Sequence, residues 1–260
     1  MESTTLGRVR KLLAKAERAG TPEEALTYTE KAVELMACHG IDMALLAADD
    51  PHCDEIGATR MEVADPYSAG KARLLGWTAA ALRCRAVLHQ AGGGRVAAVT
   101  VFGFASDRER VDVLFTSLLL QATGQLVHGR PERAGESVAA YRRSWLHGFA
   151  VSVHRRLCAA ERRAAEGGAA GDGHTEGRRP EGMRPEGMRT AGMPTAGTRT
   201  ELVLADRRDR VDRAYAEAFP SLEQGRRPVL SGTGFRAGAA AGDRADLGAR
   251  SVSGRRALGA

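Results

Sequence analysis

A mainly helical α+β fold is what this sequence of 260 residues predicts. It comprises an N-terminal antiparallel helical hairpin, then a helix, a β-hairpin and a two-helix core. Three observations carry that prediction. Apolar residues recur at helical spacing through several long segments. Two β-rich runs, residues 84–90 and 95–104, flank the flexible tip Ala91-Gly92-Gly93-Gly94. An apolar share of 43% beside 27% charged residues is that of an ordinary globular chain. It excludes collagen, a wholly disordered polymer and a disulfide-stapled miniprotein.

The first unit covers residues 4–48. Leu6, Val9, Leu13 and Ala16 stand at i, i+3, i+7 and i+10, one face of a helix that Leu12 widens. Gly20 ends it. Thr21-Pro22-Glu23-Glu24 then reads as a capping box, with Thr21 at the N-cap and proline at the first helical position. Ala25, Tyr28, Thr29, Ala32, Leu35 and Met36 carry the apolar stripe of the second helix, and Gly40 reads as its stop. Two helices joined by so short a turn lie antiparallel to bury both stripes.

These residues are recognisable. The stretch RVRKLLAKAERAGTPEEALTYTEKAVELMACHGID, residues 8–42, resembles the bacterial and phage domain-of-unknown-function family 2786. The pattern is a K-LL-KAE helix, a T-x-EEA turn and a second helix ending KA-ELM-x-x-HGI. The later stretches VFGFASDRERVDVLFTSLLLQAT and YRRSWLHGFA look like the companion region that often follows this domain. The resemblance brings no activity, cofactor or catalytic residue.

Residues 47–66 are polar and broken by Pro51, Gly57 and Pro66, and read as a connector. An α+β companion domain is expected over 67–165. It opens with a helix from Tyr67 to about Leu82, followed by the two β-rich runs. Ser106-Asp107-Arg108-Glu109 reads as a second capping box, opening an apolar helix through Leu126. A last helix covers about 135–165. Residues 166–200 repeat roughly every five positions (Arg-Pro-Glu-Gly-Met twice, then degenerate copies) and read as a disordered linker. Over 201–260, Glu201–Leu204 reads as a short strand and Asp206–Phe219 as a helix. A Gly/Arg-rich tail follows. This segment is too small for its own core and completes the companion domain.

Charge narrows the function. Lys+Arg 38 against Asp+Glu 32 gives +6, and only four of the cations, Lys11, Lys15, Lys31 and Lys71, are lysines. The arginine skew fits the codon usage of a G+C-rich bacterial genome, yet arginine is also the better phosphate fork. Arg8, Lys11, Lys15 and Arg18 form a basic stripe beside the apolar one, as phosphate contacts along a rigid element require. Acidic residues balance it, seven against six basic over residues 1–48. Cys38, Cys53, Cys84 and Cys158 are scattered without a CxxC and read as buried, reduced thiols. No signal peptide or membrane span is legible, so a cytoplasmic setting is expected.

Other motifs dissolve on inspection. His147, His154 and Cys158 share one helix side without the paired spacing of a structural zinc site, so no metal is expected. The glycines of Gly232-Thr233-Gly234-Phe235-Arg236-Ala237-Gly238 mimic a dinucleotide turn but lack the following βαβ unit. Gly234, Gly238 and Gly242 instead share one helical face suited to close packing. No G-x-S-x-G elbow is present, and no cofactor is implied. The sequence points to a non-catalytic binding protein with nucleic acid or a nucleoprotein as leading partner, through Arg8, Lys11, Lys15 and Arg18. Two alternatives stand beside it. One is an enzyme whose site is assembled from dispersed residues. The other is an interaction module holding a partner helix on the hairpin's apolar stripe.

Overall fold

The structure is a computed structural model and describes residues 4–18, 21–131, 133–171, 196–222 and 230–245. Helices α1 (Thr4–Glu17) and α2 (Pro22–Asp49) form the N-terminal hairpin. Thr21 caps α2, its hydroxyl oxygen accepting from the Glu24 backbone N–H at 3.2 Å. Val9 and Leu13 of α1, with Ala32 and Met36 of α2, are buried in the main core. Gly40 does not stop α2, which runs nine residues further. The side chain missing at Gly40 leaves room for the Arg110 guanidinium, which a Cβ there would strike.

A 3₁₀ turn (Pro51–Cys53) leads to β1 (Ile56–Glu62), a strand inside the segment read as a connector. Helix α3 (Ser68–Ala81), β2 (Arg85–Gln90) and β3 (Val96–Phe104) follow. The sheet therefore has three antiparallel strands in the order β1-β3-β2, with the expected hairpin extended by an extra edge. Ile56 pairs with Phe104 and Glu62 with Ala98; Arg85 pairs with Phe102, and a bulge lies between His89 and Gln90. Central β3 is covered on both faces, which is why its sequence is apolar almost throughout. Val99 and Val101 enter the main core, while Phe102 and Phe104 on the other face meet Val211, Tyr215 and Phe219.

Helices α4 (Ala105–His128), α5 (Val138–Gly171), α6 (Ala196–Ala218) and α7 (Phe235–Arg244) complete the fold. Three readings are corrected here. The N-cap of α4 is Phe104 with no side-chain cap of its own. Asp54 supplies the missing acceptor from outside the helix, taking the Ser106 backbone N–H at 3.0 Å and its hydroxyl at 2.6 Å. Glu201–Leu204 is helical within α6, because its Val203 and Leu204 extend the face that Arg207 and Val211 bury. Residues 166–171 and 196–200 of the expected linker are likewise helical, and 172–195 lie outside the described residues.

Helix α7 lies within the segment read as tail and packs on α5 through glycine. A Cβ at Gly238 would collide with the Trp145 carbonyl oxygen, and one at Gly242 would lie 2.7 Å from that of Phe149. Gly148 reciprocates against the Phe235 backbone. Beneath this contact the Trp145 and Phe149 rings stack at 5.4 Å. Among the described residues no helix is long and apolar enough to cross a membrane.

Candidate nucleic-acid interface

The amphipathic pattern of α1 sets the interface. Burying Val9 and Leu13 turns the opposite flank outward, and Arg8, Lys11, Lys15 and Arg18 are all exposed there. Among the described residues none of the four is in an ion pair. Lys11, Lys15 and Arg18, with Ala14, Glu24 and Tyr28, line a groove of about 460 Å³ between α1 and α2. Arg8 stands one turn away along the same flank.

Tyr28, which the helical spacing places on the apolar stripe, is half-exposed and faces this groove. Its hydroxyl donates to Glu24 Oε1 at 3.2 Å, one helical turn back. That bond, then the Glu24 charge, hold the phenol above its usual range, so it is neutral at physiological pH. Lys15 Nζ lies 5.5 Å from the centre of the Tyr28 ring, within cation–π reach. The groove wall thus combines three cations, one aromatic face and one carboxylate already engaged with the phenol.

A second cluster of ionisable groups lies deep in the core. Asp107 is 1% exposed and accepts from Arg110 at 2.9 Å, Arg207 at 3.0 Å and Arg83 at 3.3 Å. Glu161 of α5 receives Arg83 at 2.9 Å and also Arg110, while Asp54 pairs with Arg207. The Arg207 guanidinium also covers the Phe104 ring at 3.6 Å. Three guanidinium groups meet three carboxylates, so the node is neutral overall. Burial alone would raise the Asp107 carboxyl; Arg83, Arg110 and Arg207 outweigh it and hold it below the usual carboxylate range. Arg83 adopts a left-handed backbone, φ 63°, at the end of α3. That conformation costs a non-glycine residue about 1 kcal/mol or more.

Chemically the node ties α3, α4, α5 and α6 to the segment before β1, and it is almost wholly buried. The side chains in its ion pairs are at most 10% exposed, and the Ser106 hydroxyl is engaged with Asp54 and Arg207. His39 adjoins it, and burial, then Arg110, push its imidazole below the usual range, so it is neutral at pH 7. Sequence reasoning assigned Asp107 to helix capping and missed the rest. The available signal was position: Asp107 and Arg110 fall on the same α4 face as Val111, Leu114 and Leu118.

The residues considered for metal serve packing. His154 Nδ1 is 3.0 Å from the Trp77 carbonyl oxygen, and Cys158 Sγ is 3.7 Å from His154 Nε2. Among the described residues no group of three or more His, Cys, Asp or Glu is placed to hold a metal ion. The cysteines are all unpaired, but only Cys84 is buried. Cys38 and Cys53 are exposed, contrary to the expectation of buried thiols, because both lie on polar flanks of their elements.

Residues 5–43 match the model of the family described as "Protein of unknown function (DUF2786)", so the resemblance read from residues 8–42 holds for the hairpin. No curated protein and no solved structure matches the chain.

Proposed function

We propose that this protein is a non-catalytic, cytoplasmic bacterial binding protein whose hairpin contacts nucleic acid, free or in a nucleoprotein, through Arg8, Lys11, Lys15 and Arg18. One observation carries the reading: the four cations are exposed on one flank of a rigid helix, and three of them line one groove. The alternatives have less support. Val9, Leu13, Ala32 and Met36 of the hairpin's apolar stripe are buried in the protein's own core, so a partner helix does not have them to hold. The most concentrated set of ionisable groups is closed off, which disfavours an enzyme built on it.

The test is salt dependence. Each neutralised phosphate contributes about 0.9 to the log–log slope on duplex DNA and about 0.7 on a single strand. Four contacts therefore give a slope of roughly −3 to −4 on duplex and about −3 on a single strand. Changing all four residues to Gln removes that slope with the fold intact, since glutamine is a good helix former. The arginines beyond α7 need a separate control. Truncation belongs after Ala245, because a cut after Leu222 would also remove the packed α7. Loss of binding only on truncation, or no salt-dependent binding at about 50 mM salt, where such contacts are strongest, overturns the assignment.

A further inference from the structure

Resting on that reading, we propose that the groove between α1 and α2 takes single-stranded nucleic acid, with one base stacked on Tyr28 and the flanking phosphates on Lys11, Lys15 and Arg18. Three observations converge. The binding wall is concave, and its two helices belong to a packed pair whose axes lie about 8–10 Å apart. A duplex hides its base faces in the stack and is read by elements that project into its grooves. A concave wall cannot project. A single strand can lower an unstacked base into it.

The wall also carries the two chemistries that sequence-tolerant strand binding combines, an aromatic platform and a track of cations. Tyr28 presents the platform, with its hydroxyl turned to Glu24 and its ring left to the groove. Lys11 to Arg18 spans about 10 Å along α1, the reach of about two to three nucleotides of a strand. The groove is open to solvent and measures about 460 Å³. Lys15, whose ammonium lies over the Tyr28 ring at 5.5 Å, yields that face to an incoming base and pairs with the neighbouring phosphate.

The experiment uses the full chain at about 50 mM salt, with 12-nucleotide oligo(dT), 12-nucleotide oligo(U) and a 12-base-pair duplex as probes. Either single strand should bind tighter than the duplex, and binding to dT, to U or to both satisfies the proposal. A strand carrying 5-iodouracil should photo-crosslink to Tyr28, as read by peptide mass spectrometry. Tyr28→Phe should keep affinity, whereas Tyr28→Leu should weaken it about 5- to 150-fold, the span of one lost base stack. If the leucine variant fails to fold, the crosslink on the unaltered chain decides. A crosslink elsewhere, or duplex binding that is equal or tighter and is lost in the quadruple Gln variant, overturns the single-strand proposal and leaves the nucleic-acid reading standing. No binding to any probe overturns both.

Discussion

Replacing Asp107 with Asn should lower stability by about 3–5 kcal/mol, the usual cost of breaking a buried ion pair from one side. For a chain of this size that is a fall in melting temperature of roughly 6–20 °C. The reason lies in what remains: Arg83, Arg110 and Arg207 keep their charges, but two carboxylates are left to face three guanidinium groups. The asparagine side chain fits the space and retains one acceptor, so the loss reads charge and not volume. The pH dependence gives a second handle. The folded-state carboxyl lies below its ordinary value of 3.8, so its contribution is complete above about pH 4. It is lost as pH falls through the lower folded value. Melting curves of the unaltered protein should steepen their decline below pH 4, and the Asn variant should lack that component. Equal melting temperatures for the two proteins at pH 7 would show that the node carries no net stability.

Gly238→Ala should also destabilise, against local propensity. In an isolated helix the change gains close to 1 kcal/mol. Here the new methyl meets the Trp145 carbonyl oxygen, a backbone atom held by the ladder of α5 that no rotamer change can move aside. The helices must separate, and the net loss should be about 1–3 kcal/mol, as for other overpacked contacts. Gly148→Ala probes the same approach from the α5 side, against the Phe235 carbonyl. Because either methyl forces the same separation, the double variant should cost little more than the worse single one. Limited proteolysis should cut both variants near α7 sooner than the unaltered chain. Arg236→Ala, at an exposed α7 position, should change neither measure.

These two expectations concern features of different legibility. The glycine face of α7 was readable, since Gly234, Gly238 and Gly242 recur at i+4 and i+8 and a helix repeats there. The hairpin and the pair β2–β3 were readable for the same reason: their signals are local. Strand β1 was not. Its residues, IGATRME, are only partly buried at the sheet edge, so the alternation that marks a strand is faint. Gly40 misled because glycine marks both a helix end and a close approach, and only Arg110, seventy residues later, distinguishes them. The charged node was hidden most completely. Arg207 reaches Asp107 across 100 residues and Asp54 across 153, and pairing at such range leaves no mark in one sequence. The groove fell between. Its cations were legible as a stripe on α1, but Tyr28 looked like core until its neighbours were in place.

The length of α2 bears on how a bound strand would sit. Twenty-eight residues make a rod of about 42 Å. One end forms a wall of the groove; beyond it the Arg110 guanidinium packs against Gly40, and Asp49 makes an exposed ion pair with Arg199 of α6. A continuous helix has no swivel between those ends, so the hairpin does not wag on a tether. Whatever lies along α1 is held at a fixed heading relative to the sheet and to α5. In solution the hairpin should therefore tumble as part of the main body. A spin label on the groove flank should report one narrow distribution of distances to a second label on α5, before and after a ligand arrives.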